Sequence, residues 1–232
     1  ADDTPERPSS EAAPERCASR ASFKDVCRVG NPNRHWEFDC LNIKEREAKE
    51  AVPALIATMK PSTTYMDVTI GLATWFGVRS ARSGVVFLGQ GSDEQFGGYT
   101  RHRKAFKQGG MSRLQEELDK DLSRLWQRNL GRDDRVLCDC DKMAVLPYLD
   151  EQFMEFVASL PLSSLCDLTM PAGVGDKKLL REVARGMGLQ HAAGLVKRAI
   201  QFGTRCAKLF RQDMTGKESR SCGSKEFDAD LE

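Results

Sequence analysis

The sequence predicts an α/β protein in which a small α/β half is followed by a helical half. Residues 85–88 are a short, continuously apolar run that ends in glycines, and such a run is typical of a strand buried in a parallel sheet. The segments before and after it show the 3.6-residue apolar period of helices. After Gly110 the periodic segments are all helical.

The first half is predicted to contain one strand and two helices before residue 85. Residues 36–43 alternate partly between apolar and polar side chains, which favours a strand. Asn42 is predicted to cap the next helix, with Glu45 as the capping-box partner, and Pro61 ends that helix. The apolar face of this helix consists of Ala48, Val52, Leu55, Ile56 and Met59. Residues 62–80 predict a second, buried helix.

The second half is predicted to be helical because apolar residues recur there at helical spacing. Leucines 114, 118, 122 and 125 form a stripe that is too short for a coiled coil and therefore predicts core packing. Asp150 and Asp176 are predicted to cap two later helices, and Gly188 is predicted to end the second of them.

The length of 232 residues is enough for one α/β domain flanked by tails. We expect this domain over residues 35–212. Residues 1–22 contain three prolines, no aromatic residue and no large aliphatic residue, so residues 1–34 are predicted to be disordered or poorly ordered. Residues 213–232 are also polar and are predicted to form a disordered tail.

The charge composition argues against two classes of partner. The 35 basic and 34 acidic residues give a net charge of +1, so there is no electrostatic reason to expect nucleic acid or an anionic membrane. No apolar run approaches the roughly 20 residues of a membrane-spanning helix.

The cysteine pattern argues against a metal site. The chain has eight cysteines and no C-x-x-C motif, and His35, His102 and His191 are scattered. We therefore expect free thiols, no zinc and a reducing, cytoplasmic location.

The candidate chemistry lies in residues 89–99, the glycine-rich loop, whose sequence is GQGSDEQFGGY. Gly89 and Gly91 would let the backbone approach an anion, and Ser92 is predicted to cap a helix that begins at Asp93 and faces a phosphate. Asp93 or Glu94 would supply carboxylate oxygen for Mg²⁺. The alternative, equally open on spacing alone, is a tight strand-to-helix turn whose acids complement the helix dipole.

This loop resembles the G-E-G-x-D-E-x-x-G-G-Y loop in the synthetase domain of glutamine-dependent asparagine synthetases. Further similar segments follow in the expected order and extend the resemblance over residues 35–207: RNLGRDDRVLCD, LPYLDEQFMEFVASLP, GVGDKKLLREVA and VKRAIQFGTR. The motifs RNLGRDDR and KRAIQFG are specific to the divergent asparagine synthetase domain-containing branch of that family.

The resemblance implies an adenine-nucleotide α-hydrolase-like fold, which is a parallel sheet flanked by helices. It also implies that aspartate and ATP form β-aspartyl-AMP and pyrophosphate with Mg²⁺, after which ammonia displaces AMP and leaves asparagine. The family obtains this ammonia from a separate glutaminase domain located upstream. The implied partners are thus ATP, aspartate and that glutaminase domain, with a further protein partner as an open alternative.

The resemblance also implies roles for individual residues. Gln90 stands at the family's glutamate position beside the intermediate, and Asp93 would help to hold magnesium pyrophosphate. Lys197 is a weaker catalytic candidate, and Arg198 beside it would also reach a phosphate. The implied nucleotide-binding residues are Leu88, Gly89, Gly91, Ser92, Asp93 and Glu94.

Departures from the family pattern predict that this chain is not self-sufficient or is catalytically degenerate. Its sequence contains no S-G-G-x-D-S pyrophosphate loop. Gln90 replaces a glutamate, Ala199 stands at the position of a catalytic lysine, and Met143 and Val145 replace a charged pair. Two alternatives follow: a pseudoenzyme that serves as a protein-binding or assembly module, or a sensor that binds an adenylate without turnover.

Overall fold

The structure, a computed structural model, describes residues 10–209. The tail predicted at 213–232 and the first nine residues of the predicted N-terminal tail lie outside the described residues. The described helices and strands, in chain order, are α1 (Pro14–Val29), α2 (Glu45–Met59), α3 (Tyr65–Ser80), β1 (Val85–Phe87), α4 (Ser92–Gln95), α5 (Thr100–Ser123), α6 (Asn129–Asp139), β2 (Met143–Val145), α7 (Glu151–Ala158), α8 (Leu162–Leu165), α9 (Lys178–Gly186), α10 (Gln190–Ala193), α11 (Ile200–Gly203) and α12 (Cys206–Leu209). Among these helices, none is both long and apolar enough to cross a bilayer.

The described part of the chain is mostly helical and contains one small parallel sheet. In that sheet, β1 pairs with β2, with Val85 opposite Met143 and Phe87 opposite Val145. Helices α4, α5 and α6 connect the two strands, as a parallel crossover requires. The parallel strand predicted around residue 85 and the helical second half are therefore present.

The prediction that β1 is buried on both faces is wrong. Phe87 is 72% exposed, and Met143 on β2 is 61% exposed. Parallel strands bury both faces only when helices cover both sides of the sheet, and within residues 10–209 the sheet has only two strands.

Residues 36–43, predicted as a strand, are irregular. No described strand pairs with them, and a strand needs a neighbour for its backbone hydrogen bonds. The segment is held instead by contacts with α1: Phe38 stacks on Phe23 at 5.1 Å, and Arg16 donates to the Leu41 carbonyl at 2.8 Å.

Helix α1 lies inside residues 1–34, the segment that the composition predicted to be disordered or poorly ordered. Pro14 occupies the first turn of the helix, where its missing N–H costs nothing. Asp25 accepts hydrogen bonds from the backbone N–H groups of His191 and Ala192, at 2.6 and 3.4 Å. Polar contacts with a segment distant in sequence thus hold a helix that has little apolar surface.

The largest hydrophobic cluster lies between α2, α3 and α6 and confirms the predicted apolar face of α2. Its buried members are Val52, Leu55, Met59, Val68, Leu72 and Val136. A second cluster buries Leu114 and Leu118 of the predicted leucine stripe, and a third contains Phe96 from the glycine-rich loop. This third cluster anchors the loop to the helical second half.

Of the helix caps predicted at Asn42, Asp150 and Asp176, two are wrong and one is confirmed. Helix α2 begins at Glu45 because the Lys44 N–H donates to Glu47 at 2.9 Å, so Asn42 does not cap it. Asp150 caps α7 as predicted, accepting from the Phe153 N–H at 3.0 Å. The cap residue of α9 is Lys177, because the Asp176 carboxylate instead accepts from the Gly173 N–H at 2.6 Å and from Arg181. Gly188, with φ +84°, follows α9 as predicted.

Candidate functional site

The glycine-rich loop leaves the carboxyl end of β1 and leads into α4, and residues 91–98 are buried. Gly91 has φ +89°, a left-handed conformation that favours glycine. A Cβ atom there would overlap the Leu149 side chain. Packing and backbone conformation therefore account for this glycine without a ligand.

Ser92 is the first residue of α4 rather than its cap, so the predicted capping role is wrong. Its hydroxyl donates to the Gly89 carbonyl at 2.7 Å and accepts from the Lys177 ammonium group at 3.0 Å. Ser92 therefore links the end of the sheet to the residue that precedes α9.

Asp93 lies between two ammonium groups. The Lys177 Nζ is 2.8 Å from its Oδ1 atom, and the Lys197 Nζ is 2.7 Å from its Oδ2 atom. Burial raises the pKa of this carboxyl, but the charges and hydrogen bonds of the two lysines outweigh burial and hold the pKa below its usual range. Asp93 is therefore ionised at neutral pH.

Glu94 is buried, and its two hydrogen-bond partners lie before and after α5 in the sequence. The Tyr99 hydroxyl donates to its Oε1 atom at 2.7 Å, and the Asn129 amide donates to the same atom at 3.2 Å. Burial and the negative charge of Glu94 raise the pKa of Tyr99, so the phenol stays protonated and donates. Glu94 thus holds the loop against the start of α6.

Gln90 is the first residue in a series of polar side-chain contacts that ends at Asp67. Its amide donates to the Asp133 Oδ2 atom at 2.7 Å. Asp133 accepts from the Arg132 guanidinium at 2.8 Å, and Arg132 also contacts Asp67 on α3 at 3.0 Å. Gln90 therefore acts as a donor to a carboxylate, which a glutamate could not do while ionised.

A cavity of about 510 Å³ adjoins the loop. Four cationic side chains on its wall come from the segments around α9 and α11: Lys177, Arg181, Lys197 and Arg198. Ser92 lies at the wall beside them, and Glu15 of α1 contributes an acid. The cavity is therefore lined by more positive than negative groups on the side that faces the loop.

The residues around Asp93 do not fit the magnesium ion that the family resemblance implies. Mg²⁺ needs accessible carboxylate oxygens, yet both oxygens of Asp93 contact ammonium groups, which repel a divalent cation. Glu94 already accepts hydrogen bonds from two donors. Over the described part of the chain, no three His, Cys, Asp or Glu residues are grouped so that they could hold a metal ion.

The structure brings some of the predicted site residues together and not others. Lys197 contacts Asp93 across 104 positions of sequence. The Leu88 N–H donates to the Val145 carbonyl and extends the sheet, whereas Gly89 is exposed, with open space where a Cβ atom would be. Ala199 precedes α11.

Sequence reasoning did not place Lys177 in the site, nor three polar partners of the loop: Tyr99, Asn129 and Asp133. Tyr99 is the last residue of the loop motif, so the sequence could have identified it. Lys177 adopts a left-handed conformation with φ +53°, which turns it out of the predicted helix, and no local pattern of residues signals this turn.

Replacing Gly98 by alanine is expected to disrupt the Asp93 cluster and to lower the free energy of unfolding by about 1–3 kcal/mol. A Cβ atom at this position would overlap the Asp93 Oδ1 atom and lie 2.7 Å from the Lys177 Cε atom. Chemical denaturation measures the change. Gly89→Ala is the matched control, because nothing lies within 4 Å of its Cβ position. Equal stability of both variants would show that Asp93 and Lys177 do not meet beneath Gly98.

Comparisons with known proteins match residues 34–112 of the chain to the family described as asparagine synthase. Asparagine synthetase domain-containing protein 1 from Mus musculus is 41% identical over 94% of the chain, and its Homo sapiens counterpart is 40% identical over 91%. A putative glutamine-hydrolysing asparagine synthetase 1 from Methanocaldococcus jannaschii is 33% identical over 52% of the chain. The chain spans 37%, 35% and 23% of the lengths of these three relatives.

Proposed function

Since this chain belongs to the asparagine synthase family, we propose that it is an asparagine-synthase-like domain that does not catalyse amide formation by itself. The observation that carries the proposal is the hydrogen bond from Gln90 to Asp133, at 2.7 Å. It gives the residue at the family's glutamate position a structural partner inside the fold. ATP, aspartate and an upstream glutaminase domain as partners of the whole protein stay predictions, as does its cytoplasmic location.

The geometry around Gln90 supports the proposal that the function of the family's glutamate is lost at this position. A glutamate at this position would place its carboxylate against the carboxylate of Asp133, and like charges at that separation repel. Arg132 compensates Asp133 but is already shared with Asp67. The amide of Gln90 is therefore the side chain that suits this pocket.

Adenylate formation also requires positive groups aimed at the phosphates, where negative charge develops in the transition state. Ala199 supplies no cation at the position where the family resemblance implies a lysine. The Lys197 ammonium group contacts Asp93 at 2.7 Å instead. The chain carries no S-G-G-x-D-S loop to hold the triphosphate. The glutamate and the lysine of the family's catalytic set are thus replaced by Gln90 and Ala199, and the loop motif does not occur in this sequence.

We expect no aspartate-dependent exchange between radiolabelled pyrophosphate and ATP when this chain is assayed with Mg²⁺. Losing one preorganised electrostatic donor raises a barrier by about 3–4 kcal/mol, and several losses would bring turnover below detection. The double variant Ala199→Lys with Gln90→Glu should stay inactive, because the phosphates are still not held and the introduced carboxylate would face Asp133. An active asparagine synthetase serves as the positive control for the assay.

Two results would contradict this proposal. Clear exchange by the unaltered chain would establish catalytic competence. Exchange by the double variant alone would show that the phosphates are held without the missing loop, and that only two side chains separate this chain from an active enzyme. Circular dichroism of the double variant checks that an inactive result does not come from unfolding.

A further inference from the structure

The N-terminal arm, which we define as residues 10–43, consists of α1 and the irregular segment that follows it. The two parts contact each other, since Phe23 of α1 stacks on Phe38 at 5.1 Å. None of the three hydrophobic clusters found among the described residues contains a residue of the arm. The one buried residue of α1 is an acid, Asp25. The arm is therefore a unit with internal contacts that contributes little to the core.

Asp25 holds the carboxyl half of α1 on α10. Its carboxylate accepts from the backbone N–H groups of His191 and Ala192, in the first turn of α10, where a helix supplies no acceptor of its own. Arg28 donates to Asp25 at 3.0 Å and also to the Gly188 carbonyl. One carboxylate thus joins three donors, two of which belong to the body of the protein.

The amino half of α1 lies against α11, where a glycine allows close approach. A Cβ atom at Gly203 would lie 2.4 Å from the Glu15 Oε2 atom and 3.1 Å from the Glu15 Cβ atom. The Arg205 guanidinium donates to the Ala12 carbonyl at 2.7 Å. Glu15 and Ala18 are also part of the wall of the 510 Å³ cavity, so α1 closes one side of it.

We propose that the N-terminal arm detaches from α10 and α11 as a unit while the three hydrophobic clusters stay folded, and that the Asp25 carboxylate holds the attached state. Segments with few buried apolar contacts open at a lower free energy than the core. A helix of 16 residues is marginal in water without tertiary contacts, so α1 unfolds when it detaches. Detachment removes Glu15 and Ala18 from the cavity wall and opens that side to solvent. The proposal does not depend on whether the chain catalyses a reaction.

Amide hydrogen exchange of the full chain, followed by mass spectrometry without denaturant, tests this proposal. We expect the amides of α1 to exchange at least about a hundredfold faster than those of α2 and α6, which border the largest hydrophobic cluster. The reason is that α1 opens locally, whereas α2 and α6 exchange through unfolding of the core. Equal protection of α1, α2 and α6 would overturn the proposal, because the arm would then open only when the whole domain unfolds.

Asp25→Asn tests the role of the carboxylate. The amide keeps one oxygen acceptor but loses the charge, so exchange in α1 should become faster by about tenfold, the scale of one charge-assisted hydrogen bond. Exchange in α2 and α6 should stay the same. Asp39→Asn makes the same chemical change at an exposed position of the arm and should leave α1 unaffected. Equal acceleration in α1, α2 and α6 would show that Asp25 supports the whole fold, and unchanged exchange in α1 would show that it holds nothing.

A disulfide between the arm and α11 gives an independent test. The Cβ separation of 3.1 Å between positions 15 and 203 is just below the range of about 3.5–4.5 Å found in disulfides, so Glu15→Cys with Gly203→Cys should crosslink after a small shift. The oxidised variant should exchange at least about tenfold more slowly in α1 than the same protein after reduction. Peptide mapping identifies the crosslink among the native cysteines. Identical exchange of the crosslinked and reduced forms would refute detachment, and if mapping finds no crosslink, the exchange of the unaltered chain decides.

Discussion

Replacing Arg132 by methionine is expected to lower the free energy of unfolding by about 3–5 kcal/mol. Arg132 is only 3% exposed and compensates two carboxylates, those of Asp67 and Asp133. Methionine fills a similar volume but leaves both acids without their cation in a buried site. Chemical denaturation at neutral pH measures the loss.

Two further variants distinguish the cost of leaving buried carboxylates without a cation from the cost of lost packing. Arg46→Met, on the exposed face of α2 where Arg46 pairs with Glu50 at 3.5 Å, should change stability by less than about 1 kcal/mol. Adding Asp133→Asn to Arg132→Met should recover part of the loss, because one of the two stranded charges is then removed. No recovery in the double variant would mean that the cost comes from packing and that the polar chain from Gln90 to Asp67 contributes little.

Asp121→Asn is expected to cost about 3–5 kcal/mol at neutral pH, because the buried Asp121 carboxylate is shared by three basic side chains. His102 lies 2.7 Å from its Oδ2 atom and Arg101 lies 2.6 Å from it, while Arg124 contacts Oδ1. The His102 Nδ1 atom accepts from the Tyr99 N–H, so its Nε2 carries the hydrogen that points to Asp121. An asparagine amide group facing these donors cannot satisfy them all.

Asp121 also makes stability depend on pH. Burial raises the pKa of this carboxyl, but the hydrogen bonds from His102, Arg101 and Arg124 and the charge of Arg101 outweigh burial and lower it well below its usual range. A lowered pKa in the folded state adds stability above the unfolded pKa of about 3.9, and this stability is lost as the pH falls further. The unaltered chain should therefore lose stability below about pH 4 more steeply than Asp121→Asn does.

Asp119→Asn is the matched control, because Asp119 lies on the same helix and is exposed. It should change the free energy of unfolding by no more than about 0.5 kcal/mol and leave the acid dependence intact. Denaturant midpoints of all three proteins between pH 2.5 and 7 give both quantities. Parallel acid profiles for the unaltered chain and Asp121→Asn would contradict the role given to the Asp121 carboxylate.

The elements that the sequence predicts well are those whose signal is local. The apolar face of α2, the leucines at 114 and 118 and the cap at Asp150 depend on neighbours within one or two helical turns. Residues 36–43 and α1 show the opposite case. A strand requires a partner strand, which no periodicity guarantees, and α1 is held by Asp25 contacting residues more than 160 positions away.

The family and a candidate site follow from the sequence alone, because residues 89–99 carry a specific motif in one continuous stretch. The sequence also identified Gln90 and Ala199 as departures, since each is a single residue at a known position. The partners of Asp93 are visible only in the folded chain. Its two partners, Lys177 and Lys197, are 84 and 104 positions away, and the charge that a carboxylate meets is set by distance in space. The same acid is a metal ligand beside other oxygens and a counter-anion beside two ammonium groups, and no local pattern distinguishes the two.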